Sequence, residues 1–218
     1  MPDGGVARSG IPTQKHRAGM HPTKRSILDA AVGLFGKKGY AATGVQAIVD
    51  EAGITKGAFY HHFTGKEDLL KDIHDDFIDY YIDLLDSIQA SARSPREVFT
   101  RYLEVFFLTL DEFRAEMTIF YQERRFLSGA TFADVRRKRD LLERNLVAVI
   151  EDGIAVGQFR PLASPELMLF GMVGLSVHIA TWYRPNEVPL EALGQMVREV
   201  LLHGLLAEPL NASTRGSA

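Results

Sequence analysis

The sequence predicts an all-α protein. Apolar residues recur at three- and four-residue spacing through nearly the whole chain, and no segment alternates apolar and polar residues with the period of a strand. The composition, 46% hydrophobic against 24% charged, supplies enough apolar material for a packed core. At 218 residues the chain suits either one large domain or a small head on a larger body.

Residues 1–20 are rich in Gly, Pro, Arg and Lys without apolar period and read as a flexible arm; residues 209–218 read as a similar tail. A first helix is expected from Thr23 to Lys38, burying Ile27, Ala31, Leu34 and Phe35 and stopping at Gly39. Two short helices, Val45–Ala52 and Thr55–His62, flank Gly53, whose missing side chain permits a sharp turn between crossed helices. Thr64 followed by Glu67 reads as a capping box opening a long helix to about Ala92, with Leu69, Leu70, Ile73, Phe77, Tyr80, Tyr81 and Leu84 inward. Pro95 starts a helix to about Leu110, and further helices are expected over Asp111–Leu127 and Phe132–Gly157. Pro165 opens another that runs to Tyr183 and stops before Pro185, and a last helix covers Pro189–Ala207. No repeats are visible.

Charge is distributed unevenly. Residues 1–66 hold nine Lys/Arg against four Asp/Glu, whereas residues 67–218 hold 16 against 24, so a basic head sits on an acidic body within a net charge of −3. That polarity suits one end facing a polyanion, although four of the nine basic residues precede Arg25 and belong equally to a basic arm. The chain has no cysteine, no G-x-S-x-G elbow, no H-E-x-x-H and no Gly-rich phosphate loop after a strand, so neither an enzyme nor a cofactor is expected. A zinc site on the adjacent His61 and His62 is poor chemistry, because neighbouring helical side chains point about 100° apart. No apolar run approaches the roughly 20 residues that span a bilayer, and no signal peptide is recognisable, so the expected address is cytoplasmic.

The second short helix carries the most specific signal. Phe59 is placed to face inward with Ile54 and Phe63, leaving Lys56, Gly57, Tyr60 and His61 on one outward face that fits a major groove. Lys56 offers a donor to guanine or phosphate, Gly57 allows close backbone approach, and Tyr60 offers a phosphate donor. Gln46 is placed to read an adenine edge, and Thr43 and Lys66, at helix starts, to hold phosphates. His62, next to Phe63, is as well explained by packing. The texts ILDAA, LFGKKGY, AIVDEAGITKGAFYHHF and KEDLL, ungapped within residues 23–70, resemble the DNA-binding head of the tetracycline-repressor (TetR) family. The resemblance implies a three-helix head over residues 21–68 with Gln46, Thr55, Lys56, Gly57, Tyr60, His61 and Lys66 at positions that commonly face DNA. It also implies a helical ligand-binding and dimerisation domain over residues 69–208. Gly44 departs from the Ser or Thr that the family often has as a cap, which weakens the case for Thr43.

In the body, Met168, Gly171, Met172, Leu175, His178, Ile179 and Trp182 form a stripe of helical period that suits ordinary core or a cavity wall. The glycine, the two Met and the lone Trp favour a cavity, since a smaller aliphatic set fills a dry core more simply. The texts YQERRFL, EDGIAVGQFRP, TWYRP and LLHGLL resemble the TetR branch that controls steroid and fatty-acid catabolism. That resemblance implies release from DNA by acyl-coenzyme A, with Tyr121, Arg124, Met172, Leu175, His178 and Trp182 around the ligand. Arg124, Arg125 and Arg184 are candidates for its phosphates; pairing with Glu116, Glu123 or Glu187 on the surface is the other reading. His178 stands where the branch leads one to expect a basic residue. A drug or free acid as ligand, an architectural DNA-binding protein without effector, and an enzyme with an apolar pocket are the competing readings. A homodimer is expected through the last two helices, using Leu193, Met196, Val197, Val200 and Leu201.

Overall fold

The computed structural model describes residues 19–183 and 187–205. The expected arm and tail therefore lie outside the described residues, apart from Gly19 and Met20, as do Arg184 and the end of the last helix. The described residues are helical, in agreement with the all-α expectation.

The head is built from α1 (Pro22–Lys38), α2 (Val45–Ala52) and α3 (Lys56–His62). Pro22 sits at the first helical position, where its missing N–H costs nothing, and α1 ends at Gly39 with φ of 80°. Gly53 adopts the left-handed conformation, φ 65° and ψ 35°, that turns the chain between α2 and α3. Ile27, Ala31, Leu34, Phe35, Ile48, Val49, Phe59 and Phe63 fill the space between the three helices.

Helix α4 (Lys66–Ser91) leaves the head and enters the body. Its start differs from the expected capping box. Gly65 is the cap and has no side chain to offer; Thr64 instead directs both its N–H and its hydroxyl to Asp68 Oδ2, at 3.0 and 3.3 Å. Glu67 is thereby free to reach across to the body, where it accepts the Ser128 N–H at 2.7 Å. Farther along, Leu85 is the buried residue and Leu84 is half-buried, because the inward row steps through Tyr81, Leu85 and Ile88.

Helix α5 (Pro95–Glu123) runs unbroken through the expected boundary at Asp111. No Gly or Pro interrupts residues 96–123, and a single Asp lowers helix propensity by well under about 1 kcal/mol. Ser94 caps its start: Ser94 Oγ accepts the Glu97 N–H, and Glu97 in turn accepts the N–H of Arg93, one residue before the cap. A 3₁₀ turn, Arg124–Phe126, leads to α6 (Gly129–Ala155), α7 (Pro165–Trp182) and α8 (Leu190–Leu205). Helix α5 is the centre of the body and packs against α4, α6, α7 and α8.

The EDGIAVGQFRP segment is structural. Gly157, with φ of 73°, ends the turn after α6, and Phe159 folds back over Gly153, where any side chain would overlap its ring. The returning backbone donates from Gln158 and Phe159 to the Gly153 carbonyl.

The dimer expectation divides in two. Leu193 and Val197 are buried within the protomer, and Gly194 brings α8 so near α5 that a Cβ would stand 3.0 Å from that of Phe107. Met196 and Val200 lie on the opposite, exposed side of α8, and Leu201 is half-buried. Helix α7 is apolar on both sides: Met168, Leu169, Met172 and Ile179 face inward, while Leu167, Phe170 and Trp182 are exposed. Among the described residues no helix is long and apolar enough to cross a membrane.

Candidate functional site

Helix α3 presents a built recognition surface. Thr55 caps it, its Oγ1 accepting the Ala58 N–H at 3.1 Å. Phe59 is fully buried between Tyr60 and Phe63, with ring centroids 5.2 and 5.9 Å away, and this fixes the rotation of the short helix. The same rotation exposes Lys56, Gly57, Tyr60 and His61; Tyr60 is 57% exposed, unusual for a tyrosine held by core packing alone. Gln46 is exposed on the first turn of α2, its amide donating to Asp50 Oδ1 at 2.7 Å.

Two expected phosphate contacts are engaged inside the head. Thr43 is buried, and its hydroxyl donates to the Gly39 carbonyl at 2.8 Å, satisfying a group that the end of α1 leaves open. Lys66 donates to the Tyr40 carbonyl at 2.8 Å and lies 4.5 Å from the centre of the Tyr40 ring, and burial lowers its pKa. His62 stands between the rings of His61 and His21; burial, then the neighbouring His61, His21 and Lys24, lowers its pKa. Among the described residues no group of His, Asp and Glu is arranged to hold a metal ion.

In the body, a cavity of about 80 Å³ lies between α4, α5, α6 and α7, and its walls are mostly aromatic and aliphatic. Tyr121 and Met172 line it. Leu175, His178 and Trp182 do not: α7 is rotated so that Leu169, Met172 and Ser176 face the cavity, and His178 and Trp182 face outward. The largely apolar α7 has too few polar residues in the sequence to fix that rotation. Arg124 is exposed on the 3₁₀ turn, 5.6 Å from the centre of the Tyr121 ring, and Arg125 pairs loosely with Glu123 at 3.7 Å.

Of the polar residues in the cavity wall, only Tyr121 is among those expected from the sequence. Tyr81 hydrogen-bonds Thr109 at 3.1 Å, and burial raises the pKa of Tyr81, Tyr102 and Tyr121. Arg139 and Glu143 complete the wall. Arg139 had a legible signal: it falls on the apolar row Val135, Leu142, Leu146 and Val149, where a charged residue calls for a partner.

The head and body each match a family model. Residues 27–73 match bacterial regulatory proteins of the tetR family, and residues 92–205 match the tetracyclin repressor-like C-terminal domain. The chain belongs to the TetR family. It is similar to the HTH-type transcriptional repressor KstR2 of Mycolicibacterium smegmatis, 29% identical over 181 residues that cover 82% of this chain and 88% of the relative. The corresponding repressor of Rhodococcus jostii is 26% identical over 92% of this chain and 98% of its own. Among solved structures, the ketosteroid transcriptional regulator KstR2 of Mycobacterium tuberculosis superposes with a TM-score of 0.77 at 27% identity, over 88% of this chain and 99% of that one. AibR, solved with isovaleryl coenzyme A and operator DNA, gives 0.74 at 24% identity over 83% of this chain and 98% of its own, a likeness of fold. As a TetR-family member, the chain is a DNA-binding, ligand-responsive transcriptional repressor.

Proposed function

We propose that this regulator works in the cytoplasm as a homodimer, holds a palindromic operator, and is released by a coenzyme A thioester of a lipid- or steroid-derived acid. The observation that carries the DNA side is the exposed face of α3, with Lys56, Gly57, Tyr60 and His61 set by a buried Phe59. Gln46 and Thr55 are exposed at the starts of α2 and α3. Two such heads reach successive major grooves when about 34–36 Å apart.

The dimer reading is supported by Leu167, Phe170 and Trp182 on α7 and by Met196 and Val200 on α8, large apolar side chains left exposed on the two helices. The effector reading is supported by the apolar cavity with Tyr121, Met172 and Arg139, and by the similarity to the KstR2 repressors. At about 80 Å³ the cavity is below the roughly 300–1,000 Å³ of ligand pockets. A ligand of that size needs a wider cavity, and a conformer that ligand stabilises differs from this one. A differential affinity of about 1–3 kcal/mol between the two conformers changes operator binding about 5–150-fold.

Thermal denaturation with a panel of acyl-coenzyme A thioesters, the matching free acids and unrelated hydrophobic drugs tests the effector. A thioester is expected to raise the melting temperature by mass action and to lower operator affinity. Stabilisation by free acids or drugs alone replaces the thioester assignment, and no ligand response at all leaves only DNA binding.

A further inference from the structure

Two openings in the body meet at one ion pair. The apolar cavity and a wider groove of about 460 Å³ share Arg139 and Glu143 in their walls. These side chains, one turn apart on α6, face each other at 3.5 Å and are largely shielded from solvent. Beyond them the groove carries Arg124, Arg125 and Arg136. Four arginines thus stand against two carboxylates, Glu143 and Asp140, and the Arg136–Asp140 pair is exposed and 3.7 Å long. An ion pair of that kind contributes little and is readily exchanged for a better anion.

The floor of the groove is apolar, with Phe120, Leu127 and Val135 buried beneath the guanidinium groups. A low-dielectric wall under several fixed cations concentrates positive potential, and planar guanidinium groups bind phosphate oxygens in pairs. We propose that this groove binds a phosphate or pyrophosphate group, and that an effector bearing one extends its apolar part past the Arg139–Glu143 pair into the cavity. The inference rests on the reading of the body as an effector-binding domain, and adds to it where the polar half of the ligand sits.

That position matters for DNA. Arg124 begins the 3₁₀ turn whose Phe126 stacks on Tyr40 of the head, with ring centroids 4.9 Å apart. Ser128, two residues on, is held by Glu67. An anion that draws Arg124 into the groove pulls on the turn against which the head rests.

Isothermal calorimetry of the full-length protein tests the site with inorganic pyrophosphate, coenzyme A, octanoyl-coenzyme A and octanoate. Coenzyme A is expected to bind, and to bind at least tenfold more weakly to Arg124→Ala/Arg136→Ala, while Arg93→Ala/Arg137→Ala, which removes the same charge outside the groove, binds as wild type does. Tighter binding of octanoyl-coenzyme A than of coenzyme A joins groove to cavity, and tighter binding of coenzyme A than of pyrophosphate assigns the groove to a head group instead of a free anion. Absence of coenzyme A binding, or equal loss in both double variants, overturns the site. Octanoate binding wild type and the groove variant alike, with no coenzyme A binding, overturns the groove and leaves the effector-binding reading standing.

Discussion

Phe126 of the 3₁₀ turn after α5 and Tyr40 after α1 stack with their rings 30° from parallel, and this pair joins the body to the head. The Tyr40 N–H also donates to Glu123 Oε1 at 3.4 Å, and its carbonyl holds Lys66 at the start of α4. One residue of the head therefore meets both helices through which the body reaches it. Phe126→Ala is expected to cost about 1 kcal/mol, an aromatic pair's share, and to lower the melting temperature by about 2–4 °C. Hydrogen exchange should rise around residues 39–44; unchanged exchange there would mean that the stack does not restrain the head.

The outer faces of α7 and α8 predict a separation between assembly and folding. Met196→Glu/Val200→Glu should sediment as a monomer with a near-normal circular dichroism spectrum, since both residues are exposed in the protomer. Val197→Glu, at a site 1% exposed, should cost about 4 kcal/mol or more through an unpaired buried charge, and so misfold. Trp182→Ala belongs with the first group, weakening association before it touches ligand affinity.

Buried His74 predicts an acid-sensitive link between α4 and the body. Its ring packs on Phe120 at 4.5 Å, Nδ1 lies 3.0 Å from Asp75 Oδ1, and Nε2 is buried without a hydrogen-bond partner. Burial pushes its pKa below 6.5; Asp75 opposes this, and Arg139 and Lys138 add to it. The unfolded chain therefore takes up the proton first, and stability falls as pH drops below about 6.5, with no contribution above it. Asp75 acts in a lower window. Burial raises its pKa, but hydrogen bonds from His74, Lys71 and Lys138 hold it well below 3.8, so its contribution is present above 3.8 and lost only below. Urea midpoints from pH 7.5 to 5 should fall for wild type and fall less for His74→Leu; equal slopes would contradict the buried neutral ring.

How much of this was legible in the sequence depends on whether a local signal fixed it. The head was, because each of its signals is local: Gly39 and Gly53 end the helices before them, and Phe59 sets the face of α3. The cap of α4 was misplaced by one position, since Glu67 bonds Ser128, 61 residues away, and no local pattern reports that. The rotation of helix α7 is not legible for a different reason: apolar residues on both sides give two equally good stripes, and only packing on α5 and α6 decides between them. His178 and Trp182 thus moved from the cavity to the outer surface. Thr43 and Lys66 were identified as donors from their positions at helix starts, but their acceptors, Gly39 and Tyr40, belong to the head itself.

If the outward face of α3 reads DNA, fluorescence anisotropy on an operator selected from a random duplex library will show it. Selection by the wild-type protein should enrich a palindrome of roughly 15–30 bp, with half-sites one helical turn or a multiple apart. Lys56→Ala should weaken binding at all sequences and make the dependence of log affinity on log salt shallower by about one, the signature of one lost phosphate or base-edge cation. Tyr60→Phe should weaken it about tenfold, roughly one charge-assisted hydrogen bond to phosphate. Neither variant should alter the melting temperature by more than a degree or two, because both side chains are exposed. Wild-type affinity in both folded variants, or a library from which no palindrome emerges, would contradict the account.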